Sequence, residues 1–267
     1  MGRLPASGPD PAFPRLGERD RFSFRNPAEA DGGLVGVGGN LSPGMLLSAY
    51  EQGIFPWFSA DDPVLWHSPD PRFVLFPESL HVSRSMAKVL ARDYFDLSLD
   101  RDFPAVIRAC SEADRPGQDG TWITGDMVRS YTELHRLGWV HSCEARLDGR
   151  LVGGCYGIRL GAAFFGESMF SFESNASKAA FISLARLLFS DGVRFIDCQV
   201  RTDHLGSLGA TEIPRTEFLS LLRTALAVRS SPIDDEADRL GDWGKRYPFF
   251  GREVASRSKQ KRVASSQ

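Results

Sequence analysis

Apolar and polar positions follow their clearest pattern in the third quarter of the chain. An apolar, Phe-rich run at 162–170 has the length of a strand. A helical segment follows, with Ser174 or Asn175 as N-cap and Asp191-Gly192 as the stop, and residues 195–200 again have the composition of a strand. Because the connections between these segments are short, the pattern predicts a strand–helix–strand unit.

Polar side chains interrupt both predicted strands. Since alternate residues of a strand face the same side, Asp197 and Gln199 are predicted to share one face of the sheet. A buried acid is costly unless it is hydrogen-bonded or used, and Glu167 in the first strand raises the same question. Two interpretations stay open. Either Asp197 caps a turn or pairs with an arginine such as Arg201, or these residues form a polar site on an otherwise apolar sheet.

Helix and turn signals recur along the rest of the chain. Ser42, Ser83 and Thr124 are predicted N-caps of three helices, and a further helix spans 215 to about 228. Asp148-Gly149 separates two alternating apolar runs and therefore predicts an antiparallel hairpin.

Composition narrows the class of protein. The chain has 267 residues, of which 42% are hydrophobic and 25% charged, as in a globular protein with one large domain or a large and a small one. Its net charge of -2 gives no general attraction to nucleic acid, so any RNA contact must come from a local patch. The chain shows neither a signal peptide nor an apolar run of about 18 residues, so we expect a cytoplasmic protein without membrane contact.

Cysteine and histidine usage gives no sign of a metal site. The four cysteines contain no CxxC pair, and we expect them to be buried and reduced. The five histidines show no spacing typical of metal ligands. We therefore expect neither a metal ion nor another cofactor.

A Pro-rich segment at 53–77 carries many aromatic side chains. Its prolines exclude a helix, and Trp57, Phe58 and Trp66 cannot all be buried in such a segment. Exposed rings stack on nucleobases for roughly 1–3 kcal/mol each. The same rings would also serve to join a small domain to a larger one, and the pattern alone favours neither use.

Several motifs together resemble a known enzyme family. FFGESMFS, NASK, IDCQV and HLGSLGA, in this order and spacing, closely resemble the leucyl/phenylalanyl-tRNA–protein transferases, and GIFPWF, SPDPR and GTWIT extend the resemblance to about residues 32–222. The chain departs from the family at Asn40, where the family has Asp, and at His67, where it has Trp. The resemblance implies transfer of Leu or Phe, with Met as a further candidate, from aminoacyl-tRNA to acceptor proteins with an N-terminal Arg or Lys. Such transfer marks the acceptors for N-degron proteolysis.

The resemblance also implies roles for single residues. Asp197 and Gln199 would form the catalytic relay, in which Gln199 mainly orients the attacking amine, or Asp197 would instead bind the basic acceptor. Trp57 and Trp122 would hold the 3′-terminal adenosine of the tRNA. Glu167 would anchor the aminoacyl α-amino group or the ribose.

Two further sets of side chains are candidates for substrate contact. Arg84, Lys88 and Arg92 recur every four residues and so lie along one helix face. Such a face is usually only solvated, but the resemblance implies that it contacts the tRNA acceptor end. Selection of Leu and Phe requires an apolar cavity, and five side chains are candidates either for its lining or for ordinary core: Phe164, Met169, Phe181, Leu184 and Leu188.

The resemblance extends to the fold. It implies an α+β protein with a small N-terminal domain, followed by a mixed sheet with flanking helices of the acyl-CoA N-acyltransferase (GNAT-like) type. We predict a loosely ordered lead-in at 1–31, the small domain at 32–76, the catalytic domain at 77–230, and a peripheral C-terminal extension with a basic tail at 231–267. We expect a monomer.

Two other functions fit parts of the sequence. A CoA-dependent N-acetyltransferase on the same fold would need an R/Q-x-x-G-x-G/A turn at a helix N-terminus, which NASKAAF does not provide. A non-catalytic RNA-binding module would use Trp57, Trp122 and the basic helix. It leaves the polar residues Asp197, Gln199 and Glu167 on apolar strands unexplained.

Overall fold

A seven-stranded mixed sheet and a three-stranded antiparallel sheet form the framework of the protein. The computed structural model describes residues 7–113 and 122–228. The predicted C-terminal extension at 231–267 and the first six residues of the predicted lead-in lie outside the described residues.

Ten strands and seven α-helices make up the described part of the chain. The strands are β1 (Leu34–Val37), β2 (Phe55–Pro56), β3 (Leu65–His67), β4 (Arg72–Leu75), β5 (Asp96–Leu99), β6 (Val140–Leu147), β7 (Arg150–Leu160), β8 (Ala163–Ser171), β9 (Phe195–Asp197) and β10 (Thr211–Ile213). The helices are α1 (Pro43–Glu51), α2 (Arg84–Ala91), α3 (Phe103–Glu112), α4 (Gly125–Arg136), α5 (Ala176–Ser190), α6 (Asp203–Gly206) and α7 (Arg215–Leu226).

The large sheet has the strand order β10-β4-β9-β8-β7-β6-β5. Its neighbours run antiparallel except β8 and β9, which are parallel. This parallel pair and the intervening α5 are the predicted strand–helix–strand unit, and α5 lies between Asn175 and Asp191 as its caps predict. The predicted α+β class, with a mixed sheet and flanking helices, is confirmed.

Helices cover both faces of the large sheet. On one face α5 and α2 enclose an apolar cluster that includes Phe164. On the other face α1, α3, α4 and α7 enclose a second cluster that includes Phe165. Adjacent residues of β8 thus point into opposite layers, as the pleat of a strand requires. None of the helices within residues 7–113 and 122–228 is long and apolar enough to cross a membrane.

Two predicted N-caps act through their side chains. The Ser83 hydroxyl accepts a hydrogen bond from the Met86 N–H at the start of α2, and the Thr124 hydroxyl accepts one from the Met127 N–H at the start of α4. Ser42 is the N-cap residue of α1 as predicted, but its side chain makes no capping hydrogen bond and its hydroxyl instead accepts the Leu16 N–H at 3.0 Å.

The described part of the N-terminal segment is more ordered than predicted. Residues 7–31 pack along α1 and the small sheet β1-β3-β2. The Phe22 N–H donates to Ser48 Oγ at 2.8 Å, and the Phe24 ring lies 5.0 Å from the ring of Trp66. The segment contains few apolar residues, but its phenylalanines pack against the small domain. The described part is therefore ordered, whereas its composition had predicted a loosely ordered segment.

The predicted domain boundary after residue 76 is too late. β4 lies between β10 and β9 of the large sheet, with all four of its residues buried, so it belongs to that sheet and not to the small domain. The turn before β4 contains the prolines of SPDPR, which mark the change of domain more closely than residue 76 does.

β9 is shorter than the predicted strand at 195–200. It ends at Asp197, and Gln199 adopts a positive φ of 57°. The Asp197 carboxylate accepts the Gln199 backbone N–H at 3.0 Å, an Asx-type turn that takes the chain out of the sheet. The prediction that both side chains share a strand face is therefore wrong.

Candidate active site

A cavity of about 1210 Å³ opens where β2 and its following residues approach β8, α5 and the segment after β9. Most of the predicted substrate-binding residues meet in it. Its lining includes Trp57, Trp122, Phe164, Glu167, Met169, Phe181, Leu184 and Gln199.

Other predicted site residues lie elsewhere. Leu188 lies one turn beyond Leu184 on α5, fully buried in the core, and is not part of the cavity lining. The basic row is exposed: Arg84 and Lys88 lie on α2 and Arg92 is its C-cap residue. None of the three lines the cavity, and α2 packs against α5.

Asp197 is fully buried and also lies outside the cavity lining. Arg72 from β4 binds its carboxylate with two hydrogen bonds, Nε to Oδ1 at 2.8 Å and Nη2 to Oδ2 at 2.7 Å. The Arg72 guanidinium is itself enclosed, with its centre 4.8 Å from the ring of Phe55 and 4.4 Å from that of Phe218. Asp197 is thus held by a buried ion pair that no neighbouring position of the sequence indicates.

Asp197 caps a turn and pairs with an arginine, as the first interpretation expected, but that arginine is Arg72 and not Arg201. Arg201 instead approaches Glu212 at 3.7 Å on the protein surface. Asp197 also accepts the backbone N–H of Gln199 and so fixes the turn that places the Gln199 side chain at the cavity wall. Within this geometry Asp197 holds the turn, and Gln199 is the member of the pair that lines the cavity.

Glu167 is held by two phenol groups. The Tyr50 hydroxyl of α1 donates to its Oε1 at 2.7 Å, and the Tyr131 hydroxyl of α4 donates to its Oε2 at 3.0 Å. Glu167 keeps part of its surface open to the cavity, but the surrounding protein raises the pKa of the carboxyl to about 7, and the two phenol hydrogen bonds only partly offset this effect. Both protonation states are therefore populated near neutral pH.

Sequence analysis did not identify Tyr50 and Tyr131 as site residues. Both lie on the apolar faces of their helices and are fully buried, and a buried phenol hydroxyl needs a partner. That requirement indicates from the sequence that each tyrosine has a polar partner. It does not identify Glu167 as this partner, because Glu167 lies 117 residues from Tyr50 and 36 from Tyr131.

Trp57 presents an open aromatic surface to the cavity. Its side chain is 40% exposed, whereas Phe58 and Trp66 are buried in the core, so one ring of the three is available for stacking. His67 packs edge-on against Trp57 with ring centroids 6.0 Å apart. Burial lowers the pKa of the His67 imidazole, which favours the neutral ring. At this position, where the family pattern has Trp, a neutral aromatic ring therefore packs against Trp57.

Cysteine thiols do not supply a nucleophile at this site. Cys155 and Cys198 line the cavity, but burial raises the pKa of both thiols and keeps them protonated. The cysteines are free. In the part of the chain that the structure describes, His, Cys, Asp and Glu side chains form no group of three that could hold a metal ion.

The described cavity lining contains acidic side chains but no Lys or Arg. Glu112, Glu167 and Asp203 are part of it, whereas the described lining contains neither Lys nor Arg. Its histidine, His204, has a pKa lowered by burial and by the charge of Lys178, which favours the neutral ring. The electrostatics therefore favour a cationic ligand.

Comparison with known proteins decides the family. Residues 74–223 match the family described as leucyl/phenylalanyl-tRNA protein transferase, and residues 39–70 match the N-terminal domain of the same family. The chain belongs to the leucyl/phenylalanyl-tRNA–protein transferase family. The interval between the two matched regions agrees with the position of β4 at the start of the large sheet.

Similar proteins of this family match this chain over most of their own length. A leucyl/phenylalanyl-tRNA–protein transferase from Anaeromyxobacter sp. (strain K) is 57% identical over 205 residues, 76% of this chain and 88% of the relative. One from Myxococcus xanthus is 51% identical over 221 residues, 82% of this chain and 91% of the relative. One from Chromobacterium violaceum is 46% identical over 244 residues, 91% and 98% of the two chains.

Among solved structures, a GCN5-related N-acetyltransferase from Kribbella flavida is similar over 65% of this chain and 61% of its own, with 12% identity and a TM-score of 0.31. At that score the likeness supports no further conclusion.

Proposed function

We propose that this transferase moves Leu or Phe, and also Met, from aminoacyl-tRNA to the α-amine of proteins that begin with Arg or Lys, and thereby marks them for N-degron proteolysis. The observation that carries the proposal is one cavity lined by Trp57, Trp122, Glu167, Gln199 and an apolar pocket. We place the reaction in the cytoplasm, where charged tRNA is available, and expect a monomeric enzyme.

The chemistry asks little of a nucleophile on the enzyme. The acceptor amine attacks the carbonyl carbon of the aminoacyl ester, the C–N bond forms, and the C–O bond to the ribose breaks. Because the ester is already activated, positioning, proton transfer and stabilisation of the oxyanion supply the catalysis. Direct transfer fits the protonated thiols of Cys155 and Cys198.

Gln199 is suited to orient the attacking amine. Its backbone is fixed by the Asp197 carboxylate, which is itself fixed by Arg72, so its amide enters the cavity from a rigid turn. The amide oxygen can accept a hydrogen bond from the amine, but an amide is a weak base. We therefore assign Gln199 to orientation and Asp197 to the positioning of Gln199.

An apolar pocket is suited to the side chain of the donor amino acid. Phe164 and Met169 of β8 and Phe181 and Leu184 of α5 line the same cavity. An apolar pocket distinguishes one methylene by only about 1–3 kcal/mol, so acceptance of Leu, Phe and Met follows from its chemistry.

Contacts with the tRNA divide between rings and cations. Trp57 and Trp122 are proposed to hold the terminal adenosine at the cavity. The exposed cations Arg84 and Lys88 of α2 and Arg92 at its C-cap are proposed to contact phosphates of the acceptor end, since α2 packs on α5, which lines the cavity.

The charge of the cavity supports a basic acceptor. An N-terminal Arg or Lys brings a cationic side chain, and the lining offers Glu112 and Asp203 without any competing Lys or Arg among its described residues. The Asp203 side chain is exposed and forms no ion pair or hydrogen bond with another described residue.

A transfer assay tests the proposed function. Radiolabelled leucine on tRNA is offered with a protein that begins with Arg, beside the same protein with an N-terminal Ala, and acetyl-CoA serves as control donor. We expect label on the Arg protein alone. Absence of label from tRNA would reject the proposal, and acetylation in the control would favour the N-acetyltransferase.

A further inference from the structure

Glu167, Tyr50 and Tyr131 form a closed ring of three oxygen contacts. The two phenol oxygens lie 2.5 Å apart, and each also contacts one oxygen of Glu167, at 2.7 Å from Tyr50 and 3.0 Å from Tyr131. Each hydrogen bond needs its own proton, and the two phenols supply two. The ring is therefore one proton short when Glu167 is ionised and complete when Glu167 is protonated.

The proton that completes this ring exchanges at the carboxyl. Burial and the nearby Glu167 charge raise the pKa of both phenols well above their ordinary value, so Tyr50 and Tyr131 keep their protons. Burial raises the pKa of Glu167 to about 7, with the charge of Asp197 acting in the same direction and that of Arg72 against it. A group with this pKa both accepts and returns a proton near neutral pH.

Apart from the carboxylates of Glu112 and Asp203, the polar side chains of the described lining are poor proton acceptors. The amide of Gln199 is a weak base, and the thiols of Cys155 and Cys198 are protonated. Burial lowers the pKa of His204, and the charge of Lys178 adds to this effect. Asp197 is buried behind the turn with its oxygens bound to Arg72 and to the Gln199 N–H.

We propose that Glu167 is the proton acceptor and donor of the transfer step. Its carboxylate takes a proton from the acceptor amine as the C–N bond forms. It then returns a proton to the ribose oxygen that leaves as the ester C–O bond breaks, so the carboxylate is regenerated without another reactant. Tyr50 and Tyr131 act as positioning residues that hold the two oxygens. This role rests on the proposed function and differs from anchoring the donor α-amino group.

Two aminoacyl donors distinguish proton transfer by Glu167 from anchoring of the donor α-amino group. Glu167→Gln is compared with the wild type using Phe-tRNA and phenyllactyl-tRNA, in which a hydroxyl replaces the donor α-amine. The amide that this substitution introduces resembles the protonated carboxyl and can complete the ring, so we expect the fold to persist. We expect the single-turnover rate to fall about 10²–10³-fold with both donors, while KM for either donor changes by less than about threefold.

The pH dependence gives a second test that keeps the carboxyl in place. The Tyr50→Phe/Tyr131→Phe double variant removes two hydrogen bonds that favour the ionised carboxylate, so the pKa of Glu167 rises. We expect the acidic limb of the wild-type rate profile to move to higher pH in this variant. In Glu167→Gln that limb should disappear and leave only the titration of the acceptor amine, at about pH 8.

Three results would overturn the proposal. If Glu167→Gln lowers the transfer rate with Phe-tRNA but not with phenyllactyl-tRNA, Glu167 anchors the α-amino group. An unchanged rate and pH profile in Glu167→Gln would remove it from the chemistry. If the wild type transfers nothing from either tRNA, both this role and the proposed function fail, whereas the first two results leave the function in place.

Discussion

Asp197 and Glu167 lie on neighbouring parallel strands but have different surroundings. Asp197 meets a guanidinium, and its ion pair with Arg72 has no solvent exposure on either side chain. Glu167 meets two neutral phenols at the cavity wall. Asp197 thus has a cationic hydrogen-bond partner and Glu167 has hydroxyl partners, and at Glu167 the effect of burial exceeds that of the phenol hydrogen bonds and raises the pKa of the carboxyl to about 7.

In the proposed mechanism the two acids have different roles. Asp197 acts through the backbone of Gln199, whereas Glu167 faces the cavity and exchanges a proton. Carboxylates on adjacent strands of one sheet thus have different uses because of the residues that long-range folding brings to them.

Breaking the buried ion pair should give the largest effect. Asp197→Ala leaves Arg72 charged and unpaired in the core, and we expect a loss of about 3–5 kcal/mol in the free energy of unfolding, measured in urea. The double variant Arg72→Met/Asp197→Leu removes both charges and should be more stable than Asp197→Ala. An Asp197→Ala protein with wild-type stability but no transfer would make Asp197 a direct participant.

Removal of the exposed Trp57 ring should weaken tRNA binding but leave the stability of the protein nearly unchanged. Trp57→Ala deletes the proposed stacking surface for the terminal adenosine, and we expect KM for aminoacyl-tRNA to rise about 10–100-fold, since a stacked ring contributes roughly 1–3 kcal/mol. The melting temperature should change little, because the ring is 40% exposed. Trp57→Phe should retain part of the affinity, and equal KM values for wild type and Trp57→Ala would contradict this role.

Neutralising Asp203 should give a moderate and selective effect. In Asp203→Asn we expect KM for an acceptor beginning with Arg to rise about tenfold, with little change for one beginning with citrulline, the neutral analogue. Glu212→Gln is a matched control, because Glu212 lies near the same segment but pairs with Arg201 outside the cavity. Equal losses for both acceptors would show that Asp203 does not recognise the charge.

Single cations of α2 should give the smallest effect. We expect Lys88→Ala to raise KM for aminoacyl-tRNA a few-fold and to reduce the slope of log affinity against log salt by about one. Arg223→Ala on α7 removes an exposed cation elsewhere and should change neither quantity. A salt slope unchanged by Lys88→Ala would place the tRNA path away from α2.

Local features of the fold were predictable because their signals lie within a few residues. Ser83 and Thr124 cap their helices, the Asp148-Gly149 turn joins β6 to β7, and α5 lies between its predicted caps. The alternation of side chains expected for a strand gave a wrong prediction at Gln199. Its backbone N–H donates a hydrogen bond to the Asp197 side chain, and the resulting turn ends the strand.

Features that depend on distant parts of the chain were not predictable in the same way. The ion pair of Asp197 joins residues 125 positions apart, and the hydrogen bond from Tyr50 to Glu167 spans 117. The resemblance implied roles for Asp197 and Glu167, but their partners depend on how β4, α1 and α4 pack against the sheet. Leu188 shows the same limit, since helical spacing does not give depth in the core.

Titration of the Glu167 carboxyl by carbon-13 NMR in the intact protein tests the contrast between the two acids most directly. The signal is assigned by its absence in Glu167→Gln. We predict a midpoint of about 7 in the wild type and a higher one in the Tyr50→Phe/Tyr131→Phe variant, because both phenol hydrogen bonds favour the ionised form. A midpoint near the ordinary value of 4.5, unmoved by loss of the phenols, would contradict the account.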